Sequence, residues 1–243
     1  MSQLDLAMEA EISTRHLSFM ETGRSQPSRE MILRLAERLN VPLRERNALL
    51  VAAGYAPIFS ERKLDAPELT EARRAVELVL KGHEPFPALA VDRHWTILMA
   101  NGAVAPLLAG VEASLLRPPV NVLRLSLHPR GLAPRIANLA EWRSHLLARL
   151  RGQIDVAADP VLIALLDELR GYPATNHLGP RAPTQHEPAG VFVPLSFVTD
   201  AGILNFISTT TVFGTPIDVT LSELALECFF PADAETAAVF RGA

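Results

Sequence analysis

The sequence predicts an α+β protein: an all-helical bundle at the N-terminus, then an antiparallel sheet covered by helices. Two observations carry this. Apolar residues in 1–54 recur at helical spacing between capping serines and closing glycines. Beyond Ala88 the spacing changes to short β-rich runs, five in all, with helical segments inserted between the second and third. Such strands make one antiparallel sheet with helices on one face.

In the bundle, Ser2 caps a helix whose apolar face is Leu4, Ala7 and Met8. After a turn at Glu11-Ile12, Ser13 caps a second helix with Leu17 and Met20 at i, i+3, ended by Gly23. Pro27-Ser28 opens a third, with Ile32, Leu35, Ala36 and Leu39 inward. Pro42-Leu43 opens a fourth, with Leu49, Leu50 and Ala53, closed by Gly54. Residues 55–67 read as a connector, and an amphipathic helix follows from Pro67 to Lys81, broken by Glu84-Pro85-Phe86-Pro87.

The strands expected next are Ala88 to Val91 and Trp95 to Ala100, turned at Asp92-Arg93. Asn101 is placed to cap a short helix through Leu108, and longer helices span Ile136 to Leu150 and Pro160 to Arg170. A loop rich in Pro, Gly, His and Thr fills 171–188. Gly190 to Thr199 and Ile203 to Val212 form a hairpin through Asp200-Ala201-Gly202. In the last strand, Leu221 to Phe230, Leu224, Leu226, Cys228 and Phe230 alternate against Glu223, Ala225 and Glu227, the pattern of a half-buried strand. Asp233 caps a final helix to Phe240.

Composition narrows the function classes. The 243 residues suit one large or two modest domains, and 49% hydrophobic with 21% charged residues is ordinary for a globular chain. A net charge of −4 argues against a protein that coats nucleic acid, but a site-specific reader needs only local donors. Cys228 is the one cysteine, so neither an internal disulfide nor a CxxC zinc site can form, and it reads as a small hydrophobe. No signal peptide and no run of about 18 apolar residues is present, so a cytoplasmic protein without membrane contact is expected. The histidines His83, His94, His128, His177 and His186 are scattered without metal-ligand spacing. There is no phosphate loop, GxSxG elbow or Cys-His pair, so no catalytic residue, metal or cofactor is assigned and no enzyme is expected.

The helix, short turn and capped second helix of residues 2–23 have the layout of a helix-turn-helix, whose second helix meets base edges through its N-terminal residues. Thr14, Arg15 and Ser18, with His16 as a fourth, stand there, while Gln3 and Arg24 are placed to donate to phosphates. Ser2-Gln3-x-x-Leu6-Ala7, Ile12-Ser13, Leu17-x-x-Met20-Glu21-x-Gly23, Pro27-Ser28 and Leu35-Ala36 resemble the Xre-like helix-turn-helix family. The resemblance implies that Gln3 contacts phosphate and that Thr14, Arg15 and Ser18 read bases. The chain departs from it by carrying Glu11 at the usual turn glycine and by opening at the family's second helix. A less stable, more weakly binding unit is expected from the lack of that first helix. Glu21 is expected to pair with an arginine of the bundle.

Further on, Pro87-Ala88-Leu89-Ala90-Val91-Asp92-x-x-Trp95-x-Ile97-x-x-Ala100-Asn101 resembles the opening of the ligand-binding domain of MmyB-like regulators. Asn121-Val122-Leu123-Arg124, Asn138-Leu139-Ala140-Glu141-Trp142-Arg143, Phe213-Gly214-Thr215-Pro216 and Phe229-Phe230-Pro231-Ala232-Asp233 continue it. The resemblance implies a PAS-like domain with an apolar pocket for a fatty-acid-like molecule. A sheet layered against helices encloses such a space, and Trp95, Leu98, Trp142, Leu146, Phe192, Phe206 and Phe213 are the expected lining. Asn101, Arg143 or His145 would meet a polar head, with Arg143 favoured by a carboxylate.

The expected organisation is a DNA-binding domain over 1–62, a connector helix in 63–86 and the ligand-binding domain over 87–243. The expected protein is a homodimeric regulator that binds double-stranded DNA and is modulated by a small apolar ligand. Three alternatives remain open at this point: a protein-interaction module that no longer binds DNA, a haem- or flavin-carrying sensor, and an enzyme using the pocket.

Overall fold

The computed structural model describes residues 2–174 and 193–241. Two units are distinguished: Met1–Ala66 with Gly214–Ser222, and Pro67–Phe213 with Glu223–Ala243.

The first unit opens with helices α1 (Gln3–Glu9), α2 (Thr14–Glu21), α3 (Arg29–Arg38) and α4 (Leu43–Ala52). Ser2, Ser13 and Ser28 accept from the backbone N–H groups of Asp5, His16 and Met31, and Asp5 closes a capping box on Ser2. Glu11 takes the left-handed backbone (φ 55°) that glycine would supply at that turn, and Gly23 takes it after α2. Ala7, Ala10, Leu17, Ile32, Ala36 and Leu50 are buried. Leu4, Met8, Leu39 and Leu49 depart from the expected inward faces, and Leu4 and Met8 are 58% and 66% exposed. Helix α1 packs on α2 and α3, and the small side chains of Ala7 and its C-cap Ala10 are buried there.

Residues 214–222 belong to this unit although the chain reaches them through the sheet. Asp218, only 2% exposed, accepts from Arg62 (3.2 Å) and from the Thr220 N–H, and its neighbour Val219 donates to the Ser60 carbonyl. The short helix α9, over Val219–Ser222, packs against α4.

In the second unit a 3₁₀ turn (Pro67–Leu69) leads into α5 (Thr70–Gly82), which buries Val76 and Leu80. Then follow β1 (Ala88–Val91), β2 (Ile97–Ala100), α6 (Val122–Leu127), α7 (Leu139–Ala157) and α8 (Pro160–Arg170). The chain closes with β3 (Leu195–Thr199), β4 (Gly202–Val212), β5 (Ala225–Pro231) and α10 (Ala234–Arg241). The five-stranded antiparallel sheet runs β2-β1-β5-β4-β3, so the last strand made lies at the centre. In register across it stand Leu89, Glu227 and Thr210.

Three sequence expectations are corrected here. Trp95 has a left-handed backbone (φ 67°), which ends the turn and delays β2 to Ile97. Helices cover both faces of the sheet rather than one. All of β1 is buried, α5 and α10 pack on β5, and an arginine of α7 reaches β5 as well. Glu227 is therefore 4% exposed beside buried Leu226 and Cys228, whereas Phe230, expected inward, is 43% exposed.

At the α7–α8 joint, Ala158 is left-handed and Asp159 caps α8 through the Val161 N–H. The same carboxylate meets His94 (3.0 Å) and Arg93 (3.2 Å), tying the turn after β1 to α8. Burial pushes the Asp159 carboxyl up, but the bonds from His94 and Val161 and the Arg93 charge together hold it below the usual range. Its contribution to stability is thus present above the unfolded carboxyl pKa and lost as pH falls through the lowered folded value. Asp159→Ala is expected to cost about 3 kcal/mol in urea denaturation at neutral pH, with the deficit shrinking in acid. A loss below about 0.5 kcal/mol, the level of an ordinary surface change, would contradict this role.

Candidate functional site

Between the sheet and helices α6 and α7 lies a cavity of about 90 Å³. The sheet contributes Leu89, Ile97, Phe206 and Phe229, and the helices Leu123, Leu125, Trp142 and Leu146. Its polar lining residues are Ser126, Arg149 and Glu227. Arg149 donates to both oxygens of Glu227 (3.2 and 2.8 Å) and to Thr210 Oγ1 (2.9 Å), and Thr210 donates in turn to Glu227. The guanidinium lies 4.8 Å from the Trp95 ring centroid, a cation–π distance. Both indole N–H groups are spent: Trp95 on Gln153 (2.6 Å) and Trp142 on Ser126 Oγ (3.0 Å).

One helix supplies much of this wall. Trp142, Leu146, Arg149 and Gln153 fall at i, i+4, i+7 and i+11 on α7 and share a face.

In the helical unit, Thr14 and Arg15 are exposed at the start of α2, and His16 and Ser18 are half-buried. Arg15 and Arg24 both lie over Phe19, at 5.2 and 6.0 Å, so one ring positions two cations on this surface. Gln3 Nε2 donates to Glu21 (2.6 Å), bracing the start of α1 against the end of α2. Glu21 therefore holds Gln3 rather than the arginine expected of it.

The MmyB-like transcription regulator ligand binding domain matches residues 72–242. The chain belongs to this family. A helix-turn-helix family matches residues 1–46. Among curated proteins none matches the chain. The two families together make the protein a ligand-responsive transcription regulator, and both are regulator domains rather than enzymes. No helix among the described residues is long and apolar enough to cross a membrane.

In this MmyB-like domain, Trp95, Trp142, Leu146 and Phe206 line the cavity. The other expected residues stand elsewhere, and Phe192 lies outside the described residues. Asn101 accepts from the Ala88 N–H and donates to the Leu80 and Phe86 carbonyls, clasping α5 to β1. Arg143 is turned about 100° round α7 from Trp142, and it donates to the Leu169 and Arg170 carbonyls at the end of α8. His145 stacks near Trp142, and burial, with the Arg149 charge adding to it, pushes its imidazole below the ordinary range and favours the neutral ring. Leu98 is exposed on β2, and Phe213 is half-buried just past β4. Neither is part of the lining.

Sequence reasoning missed Ser126, Arg149, Glu227 and Phe229. The i, i+4, i+7 series from Trp142 would have found Arg149, but Glu227 looked like a solvent-facing position in an alternating strand. Filling the cavity with Leu146→Trp is expected to weaken binding of the neutral amphiphile methyl heptanoate at least tenfold by calorimetry, about 1.4 kcal/mol, whereas Arg143→Met leaves it within about twofold. The reverse pattern would place the ligand outside this cavity.

Proposed function

We propose that the chain binds double-stranded DNA through α2 and holds a small, fatty-acid-like apolar molecule in the sheet–helix cavity, and that the ligand modulates DNA binding. The observation that carries this reading is the apolar cavity itself, walled by Trp142 and Leu146, in a chain that also carries a helix-turn-helix. Thr14, Arg15 and Ser18 are the base readers, with Gln3 and Arg24 toward phosphate. A homodimer in the cytoplasm would set two α2 helices in successive major grooves.

The chain connectivity supports a route between the two events. Thr210 and Glu227, both held by Arg149, lie on β4 and β5. The segment joining those strands, 214–222, is the one that belongs to the helical unit through Asp218 and Arg62. A ligand that shifts the Arg149 cluster pulls on both ends of that segment, and it controls DNA binding only in so far as it binds the two states unequally.

Selection from a random duplex pool by the full chain is expected to enrich a two-fold symmetric site. Arg15→Ala should weaken binding to it by about 1–3 kcal/mol. Arg24→Ala should weaken binding to all sequences and lower the salt slope by about one. Absence of any enriched site, or an Arg15→Ala protein that binds like the parent, would contradict the DNA-reading assignment.

A further inference from the structure

We infer that the cavity selects an acyl-chain molecule whose polar end is an uncharged hydrogen-bond acceptor, such as an ester or lactone oxygen, and discriminates against a free carboxylate. This rests on the cavity being the ligand site and narrows that reading to a head-group chemistry.

Two charged residues line the cavity, and they are bound to each other. Arg149 gives Nη1 to Glu227 and Nη2 to Glu227 and Thr210, and both Glu227 oxygens are occupied by these donors. A ligand carboxylate entering here has two choices. It can share one guanidinium with Glu227, which sets two anions against one cation. Or it can displace Glu227, leaving a buried carboxylate without its partner. His145, the nearest other basic group along α7 toward Trp142, has its protonated form disfavoured by burial and by Arg149. Arg143, the other arginine of interest on α7, is engaged at the end of α8.

The donors left over suit a neutral oxygen. The Ser126 hydroxyl accepts from Trp142, yet its own hydrogen meets no acceptor among the described residues, although the residue is only 9% exposed. Arg149 Nε likewise donates to no acceptor among the described residues, so a ligand oxygen can accept a hydrogen bond from it without disturbing the pair with Glu227. At roughly 10 Å³ for each water-sized atom, 90 Å³ is room for about nine separate waters, and bonded atoms sit closer than waters do, so a chain with its head on the order of ten heavy atoms fills it.

Methyl heptanoate and octanoic acid are isomers, so at neutral pH the ester and the octanoate anion differ chiefly in charge. Titration calorimetry of the full chain with each is expected to show the ester binding at least tenfold tighter, a difference of about 1.4 kcal/mol. Glu227→Gln, which removes the competing anion while keeping the shape, should bring octanoate to within about threefold of the ester. Octanoate binding the parent protein as tightly as the ester would overturn the head-group assignment while leaving the cavity as the ligand site. A Glu227→Gln protein that folds and still rejects octanoate would also overturn it. Failure of both compounds to bind would overturn the cavity reading and this inference with it. Should Glu227→Gln not fold, the comparison in the parent protein decides alone.

Discussion

A carboxylate in the middle of a sheet needs a cation, and meeting that need organises the sensor unit. Glu227 stands on the central strand, flanked in register by Leu89 and Thr210, and Arg149 reaches it from α7. Breaking such a buried pair costs about 3–5 kcal/mol, enough to fix the rotation of α7 against the sheet. With that rotation set, Trp142 and Leu146 face the cavity and Gln153 faces the Trp95 indole. The polar cluster thus places the apolar walls, and it leaves Ser126 as a donor between them.

The proposed coupling would start from the same cluster. Thr210 and Glu227 sit on the strands that lead out to and back from residues 214–222, which the helical unit holds through Asp218. The chain passes between the units at 66/67, 213/214 and 222/223. Two of these three passages belong to strands bonded to Arg149. On the proposed reading, what binds beside Arg149 is felt first by these strands.

Much of this architecture is legible in the sequence. The Pro160–Arg170 helix, the serine caps at Ser2, Ser13 and Ser28, and the β3–β4 hairpin rest on local chemistry, where propensity and capping decide. What escaped depends on tertiary partners. Glu227 has the alternation of a solvent-facing residue, and only the arrival of Arg149 across the core makes its burial tolerable. Leu4 and Met8 have the spacing of a core face, yet the buried residue of α1 is Ala7. Trp95 belongs by composition to a strand, but the turn from Asp92 requires a left-handed residue there. Of the expected lining, Trp95, Trp142 and Phe206 were readable from residue type, whereas Phe213 stands off the cavity and Phe229 lines it unforeseen. Arg149 was not readable as a cavity residue, because it differs from Arg143 only in which face of one helix it occupies.

On the proposed function, occupancy of the cavity and affinity for DNA are coupled. This coupling is tested most directly by measuring the dissociation constant for a selected duplex, at fixed salt, with the cavity empty and then saturated with methyl heptanoate. A change of at least about fivefold is expected, the lower range of ordinary allosteric coupling. Equal affinity in the two states, with ligand binding independently verified, would contradict it.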